Sequence, residues 1–201
     1  MALSLSDGEF LVRLARKAIA EYLEKGSRLP KGGAPRHLLE PMGVFVTLES
    51  HPGRELKGCI GYPRPESPLA QAVAEMAVEA ATGDPRFPQV GKGELGSIVI
   101  EVSVLTPPEL IEAKDRKALP RMVKVGRDGL IIESGWQSGL LLPQVPVEQK
   151  WDSEEFLCRA CWKAGLPPDS WLMAGVKVYR FQAQVFSEES PGGKVAERKL
   201  G

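Results

Sequence analysis

The sequence predicts an α+β fold: a mainly antiparallel sheet with flanking helices, arranged as a larger part and a smaller packed subdomain. Two observations predict it. Several runs alternate apolar and polar residues with period two, and two of them lie only a short loop apart, as hairpin strands do. Separate alanine- and leucine-bearing runs carry apolar residues at helical spacing, and they do not alternate strictly with the strands. A chain of 201 residues suits one domain of this size.

The first element is a helix. Ser6-Asp7-Gly8-Glu9 reads as a capping box, and Phe10, Leu11, Leu14, Ala18, Tyr22 and Leu23 follow at helical spacing until Gly26. Residues 27–41 are broken by glycine and proline and read as loop. GVFVTLE (43–49) alternates, with Val44, Val46 and Leu48 on one face. SHPGRE (50–55) separates it from LKGCIGY (56–62), its expected antiparallel partner. Ser67 is expected to cap a helix over 68–82 with Pro68 at its first position, an apolar stripe of Leu69, Val73, Met76 and Ala80, and Gly83 at its end.

SIVIEVSVLT (97–106) is the clearest strand. Ile98, Ile100, Val102 and Val104 share a face, and Glu101 and Ser103 lie on the other between Val99 and Leu105. Residues 107–128 carry no assigned element, and about 107–150 is the expected subdomain. GLIIES (129–134) and SGLLLPQ (138–144) flank a turn at Gly135-Trp136, with Gln144 ending the second run. Asp152 and Glu155 open a helix that runs to about Ala164. VKVYRFQAQVF (176–186) reads as one strand with Tyr179, Phe181, Ala183 and Val185 inward, and 187–201 as a polar tail after a single domain over 1–186.

Totals exclude several functions. Lys+Arg and Asp+Glu are equal at 26 each, so neither nucleic acid nor an anionic membrane is an expected partner. The three cysteines argue for a reducing compartment rather than a disulfide framework. The N-terminus lacks a basic, apolar leader pattern, and no run approaches the roughly 20 apolar residues of a membrane span, so a cytoplasmic location is expected. No phosphate-binding glycine motif and no paired Cys/His spacing is present, so no cofactor and no metal is expected. His37 and His51, the two histidines, both fall in expected loops and offer little to a nucleophile relay.

The chemistry centres on LKGCIG. Alternation puts Lys57, Cys59 and Gly61 on one strand face, so a cation sits beside a thiol, an arrangement that stabilises thiolate. Gly58 and Gly61 would let backbone N–H groups approach a ligand. The competing reading makes Cys59 a small residue where a helix packs closely on the sheet. Glu101 and Ser103 share a face of the central strand, with Arg86 or Lys57 as the expected partner of the carboxylate if it is buried. Asp84-Pro85-Arg86 reads as a rigid turn, and Gln144 as a polar group at a pocket rim. Cys158 and Cys161 have CxxC spacing, but they lie mid-helix, away from the N-terminus that would activate them, and read as packing residues.

LKGCIGY resembles the L-R-G-C-I-G signature of the AMME syndrome candidate gene 1 protein family. The likeness extends in order through GDPRFPQV, IVIEVSVLTPPELI, GLLLPQVPVEQKWD and FLCRACWKAGLP, over roughly residues 6–186. Lys57 stands where the signature has arginine, which keeps the charge and loses the bidentate fork. The resemblance implies an α+β domain whose larger part carries the hexapeptide, in a soluble intracellular protein. Prokaryotic relatives are similar to members of a gene trio with a Memo-like protein and a radical SAM enzyme. It transfers no established activity. Two functions follow. One is an enzyme or small-ligand protein with a cleft in which Cys59, Lys57 and Glu101 act and Gly58, Gly61, Asp84, Arg86, Ser103 and Gln144 line the walls. The other is a non-catalytic protein-interaction module in which LKGCIG is structural. Neither fixes a small-molecule or protein partner, or an oligomeric state.

Overall fold

A computed structural model describes residues 2–30, 32–64 and 66–199. Residue 31 of the expected loop and residues 200–201 of the expected tail lie outside the described residues. The chain divides into two compact units, one of residues up to Leu105 together with Gln184–Arg198, the other of Thr106–Ala183. The second unit thus reaches well past the expected 107–150, because the helix after Asp152 and the strand after Val176 close its core.

The first unit opens with α1 (Leu5–Lys25), capped by Ser4 rather than Ser6. Ser4 and Asp7 make the capping box one turn-fraction earlier, since Ser4-x-x-Asp fits the motif as well as Ser6-x-x-Glu does. Between α1 and the first strand, Arg36–Leu39 form a single 3-10 turn that buries Leu38 in the expected loop. β1 (Gly43–Ser50) pairs antiparallel with β2 (Leu56–Tyr62), and α2 (Leu69–Thr82) follows. Pro68 sits at the N-cap of α2, where no side chain caps the helix, so the expected Ser67 cap is not made. β3 (Ile98–Leu105) pairs antiparallel with the other edge of β1.

Val44, Val46, Leu48, Ile98, Ile100, Val102 and Val104 form one sheet face, and α1 and α2 close over it as a single apolar core. The opposite face carries Phe45, Thr47, Glu49, Val99, Glu101 and Ser103. All eight residues of β3 are buried, so this strand is covered on both faces.

The second unit contains β4 (Glu109–Leu110), α3 (Leu119–Met122), the hairpin β5 (Gly129–Ser134) and β6 (Gln137–Leu141), α4 (Gln144–Glu148), α5 (Ser153–Lys163) and β7 (Lys177–Phe181). Its sheet runs β4-β7-β5-β6 with antiparallel pairs, and α5 packs on β5 and β6 around Leu130, Ile132, Phe156, Leu157, Cys161 and Val178. β6 stops at Leu141, so Gln144 opens a short helix instead of ending a strand.

The expected single strand over 176–186 is two strands in two sheets. β7 ends at Phe181, and β8 (Ala183–Glu188) belongs to the five-stranded sheet of the first unit, ordered β2-β1-β3-β8-β9. Alternation runs unbroken through Gln182, so periodicity alone hides the change of sheet. Phe181 and Val185 are buried as expected, whereas Tyr179 and Ala183 are half-buried and Val178 is fully buried. β9 (Val195–Arg198) lies in the expected tail and pairs antiparallel with β8, placing Val195 in the core. The stretch is polar because β9 is a short edge strand with one inward apolar side chain.

Candidate functional site

Cys59 lies on β2, an edge strand of the larger sheet, opposite Thr47 of β1; Thr47 in turn lies opposite Glu101 of β3. A thiol, a hydroxyl and a carboxylate therefore form a row across three strands, on the face away from α1 and α2. Thr47 Oγ1 donates to Cys59 Sγ at 3.3 Å. Ser103, two residues from Glu101 on the same face, is fully buried, and its Oγ has no hydrogen-bond partner among the described residues.

The edge strand is held from outside. The Cys59 N–H donates to Asp84 Oδ2 at 2.9 Å, and Arg86 Nη2 donates to the Cys59 carbonyl at 3.0 Å. Both backbone groups of Cys59 thus point away from β1. That identifies Thr47/Cys59 as a non-hydrogen-bonded pair, the kind that brings opposed side chains closest. Asp84 and Arg86 are locked together by bonds of 2.9 Å (Nε to Oδ1) and 2.7 Å (Nη2 to Oδ2), and the Arg86 guanidinium lies over the Phe87 ring. The Arg86 fork, with backbone N–H bonds, holds the Asp84 carboxyl well below the usual carboxylate range against its burial. The turn supplies one acceptor and one donor to an otherwise open strand edge, as a neighbouring strand would.

The two glycines are spent on packing. A Cβ on Gly58 would stand 2.0 Å from the Ala80 carbonyl oxygen of α2, and one on Gly61 would stand 2.1 Å from the Val44 carbonyl oxygen and 2.6 Å from the Phe45 ring. With the Cys59 N–H also taken, the expected display of backbone N–H groups to a ligand is not built here.

Burial pushes the half-buried Cys59 thiol above its ordinary value. The Thr47 hydrogen bond and the Arg86 charge oppose that rise, and the nearby Glu101 and Asp84 carboxylates add to it. The cation bearing on the thiol is Arg86, in place of the expected Lys57, which is half-buried at the bulge where the β1–β2 register shifts. Glu101 is 4% exposed and is paired neither with Arg86 nor with Lys57: Arg198 Nη1 donates to its Oε2 at 2.5 Å. Burial raises the Glu101 carboxyl, with Arg198 opposing. Gln144 belongs to the second unit; its Oε1 is buried and has no partner among the described residues.

Two members of this arrangement escaped sequence reading. Thr47 could have been found by counting the hairpin register from its loop, since it is the polar residue opposite Cys59. Arg198 carried no signal, being 97 residues from Glu101 in an apparent tail. Cys161 is buried in the second core with its thiol pushed up to about 11, and Cys158 is half-buried beside it on α5. Among the described residues no group of His, Cys, Asp or Glu is placed to hold a metal ion, and no helix is long and apolar enough to cross a membrane.

The AMMECR1 family model matches residues 12–186. A Thermococcus onnurineus protein is 59% identical over 197 residues, covering 96% of each chain. A Methanocaldococcus jannaschii protein is 54% identical over 198 residues, covering 98% of each. The crystal structure of protein PH0010 from Pyrococcus horikoshii superposes with a TM-score of 0.92 at 55% identity, covering 96% of this chain and 97% of that one. With the family model spanning most of the chain, and relatives this similar along nearly their whole length, the chain belongs to the AMMECR1 family.

Proposed function

We propose that this protein holds a small polar ligand over the Cys59–Thr47–Glu101 row, with Cys59 serving as a neutral thiol rather than as a thiolate nucleophile. One observation carries the reading: a thiol, a hydroxyl and a carboxylate align across three strands beside Ser103, whose buried hydroxyl lacks a partner among the described residues. A buried hydroxyl left unpaired costs on the order of 1–3 kcal/mol, a cost that a bound polar group would remove. In this reading Glu101 is the anchor and the group able to exchange a proton, because its carboxyl is raised. Asp84 and Arg86 support the Cys59 backbone rather than line the cleft. Gly58 and Gly61 are packing residues, and Lys57 is a nearby cation on the same strand.

The test is extraction. Protein purified under native conditions is denatured, and released small molecules are identified by mass spectrometry for wild type, Thr47→Val and Glu101→Gln. A polar compound present with wild type and depleted in both variants supports the reading. Identical extracts from all three contradict it. The protein-interaction reading is favoured by a different observation, the closure of Gly58 on α2 and of Gly61 on Phe45, which makes LKGCIG a structural cornerstone. Under it, folded Cys59→Ala protein keeps its partners.

A further inference from the structure

Among the described residues the two sheets have four edge strands, β2, β9, β4 and β6. Three of them are protected. β2 has the Cys59 backbone capped by Asp84 and Arg86. β9 is four residues long and carries Glu197 and Arg198. β4 is two residues long. Short length, charge and covering groups are the ordinary protections of a sheet edge. β6 has none of them. It runs for five residues in unbroken register with β5, and the chain has no charged side chain from Gly135 through Val147.

Hydrogen bonds fix which backbone groups of β6 point outward. The Ile111 N–H donates to the Val178 carbonyl at 2.8 Å, so Val178 turns its backbone groups away from β5. Ile132, opposite Val178, therefore bonds to β6, where its partner is Gly139. Ser138 and Leu140, on either side of Gly139, turn two N–H and two C=O groups to the outer edge. Among the described residues nothing bonds to those four groups. Two tryptophans stand beside them. Trp136, just before the strand, is 93% exposed, and Trp162, in the last turn of α5, is 67% exposed. The end of α5 lies against β6: Gln137 Nε2 donates to the Gly165 carbonyl at 2.9 Å, and a Cβ on Gly139 would stand 2.3 Å from the Ala164 backbone nitrogen.

We infer that β6 is a docking edge for an extended, uncharged segment of a partner protein, which joins the four-stranded sheet as a fifth strand. Donors and acceptors that alternate at strand spacing are matched by the backbone of another strand. The uncharged stretch around them favours an uncharged segment, and Trp136 and Trp162 offer the exposed aromatic area that anchors such contacts. The end of α5 argues against a second copy of this chain as the occupant. Two copies paired edge to edge about Gly139 would set their α5 ends near the strand spacing of about 4.8 Å, closer than the roughly 8–10 Å that two helices need. This surface belongs to the second unit and stands whether or not a ligand sits over Cys59.

The test selects a phage-displayed library of random decapeptides on the immobilised full chain, then titrates the most enriched peptide into the full chain labelled with nitrogen-15. The expected result is saturable amide shifts centred on residues 136–141 and 162–165. N-methylation of one alternating set of the peptide's amides weakens binding about tenfold and methylation of the other set does not, the mark of a strand bonded along one edge. Ser138→Pro removes an outward N–H without touching a bond to β5, and it too weakens binding about tenfold. Trp136→Ala, an exposed change that leaves the fold intact, weakens it by a similar factor. No enriched peptide, shifts centred elsewhere, or undiminished binding by a Ser138→Pro protein with a native spectrum overturns the inference. Should that variant fail to fold, equal binding of both methylated peptides together with undiminished binding by Trp136→Ala overturns it. Self-association of the free chain in sedimentation, abolished by Trp136→Ala or Ser138→Pro, assigns the edge to a second copy and overturns it as well.

Discussion

Thr47 donates its hydroxyl hydrogen to the Cys59 thiol at 3.3 Å, from the residue of β1 that also faces Glu101 on β3. This relationship explains why Cys59 is not simply a small residue under a helix. The helix closes on Gly58, one residue earlier and on the opposite strand face. Cys59 points the other way, into a polar row, while its backbone is fastened by the Asp84–Arg86 turn. Alternation sends Gly58 against α2 on one face, and Cys59 and Gly61 to the other, against Thr47 and Phe45 of β1.

Gly58→Ala destabilises the protein by about 2 kcal/mol or more, because its Cβ falls on the Ala80 carbonyl oxygen and backbone must move. Chemical denaturation measures it. An unchanged midpoint would mean that α2 can retreat and that the glycine serves something other than packing.

Asp84→Asn keeps an acceptor for the Cys59 N–H and removes the counter-ion of Arg86. A loss of about 2 kcal/mol at pH 7 is expected. The folded Asp84 carboxyl lies below its ordinary 3.8, so its contribution is present above that value and fades as pH falls through the lower folded value. The stability gap between wild type and Asp84→Asn should therefore hold from neutral pH down to about pH 4 and close below it. A gap that does not depend on pH would assign the loss to packing.

Arg16 and Glu188 tie α1 to the sheet. The guanidinium gives two bonds to the wholly buried carboxylate, at 2.7 and 2.5 Å, and two more to the Leu95 and Ile98 carbonyls at 2.9 and 2.6 Å. Glu188→Gln should cost about 3 kcal/mol, since it leaves Arg16 charged and largely buried without its counter-ion. A thermal or urea midpoint close to wild type would show that the pair is dispensable.

The strands of the larger sheet were legible where apolar residues recur with period two. GVFVTLE and SIVIEVSVLT place Val44, Val46, Ile100 and Val102 on the core face as alternation requires. What stayed hidden was long-range. Gln182 separates two sheets without breaking the alternation, and β9 offers one buried valine in a polar stretch. Glu101 was legible as a carboxylate that needs a cation if buried, and the sequence placed that cation at Arg86 or Lys57. The pairing with Arg198 depends on β9 folding back beside β8, which no local pattern announces. Cys59, Asp84 and Arg86 were legible as residues grouped together, and hydrogen bonds do join them, but the form of those bonds was not legible. That the turn grips the Cys59 backbone follows only from β2 lying at a sheet edge.

Glu101→Gln should alter how stability depends on pH. The folded Glu101 carboxyl lies above its ordinary 4.5, so its protonated form favours the fold, and that advantage is lost as pH rises through the folded value. Wild-type stability minus that of Glu101→Gln should decline from about pH 4.5 upward in urea titrations. A constant difference would mean that Arg198 fully offsets the burial of the carboxylate.

Alkylation of the native protein across pH, read for each cysteine by mass spectrometry, tests whether Cys59 is a partly accessible but neutral thiol. Slow labelling of Cys59 below about pH 8 is expected, accelerating only above the ordinary thiol range, while Cys161 stays protected until unfolding. Rapid labelling of Cys59 below about pH 7.5 would contradict it and return the motif to thiolate chemistry.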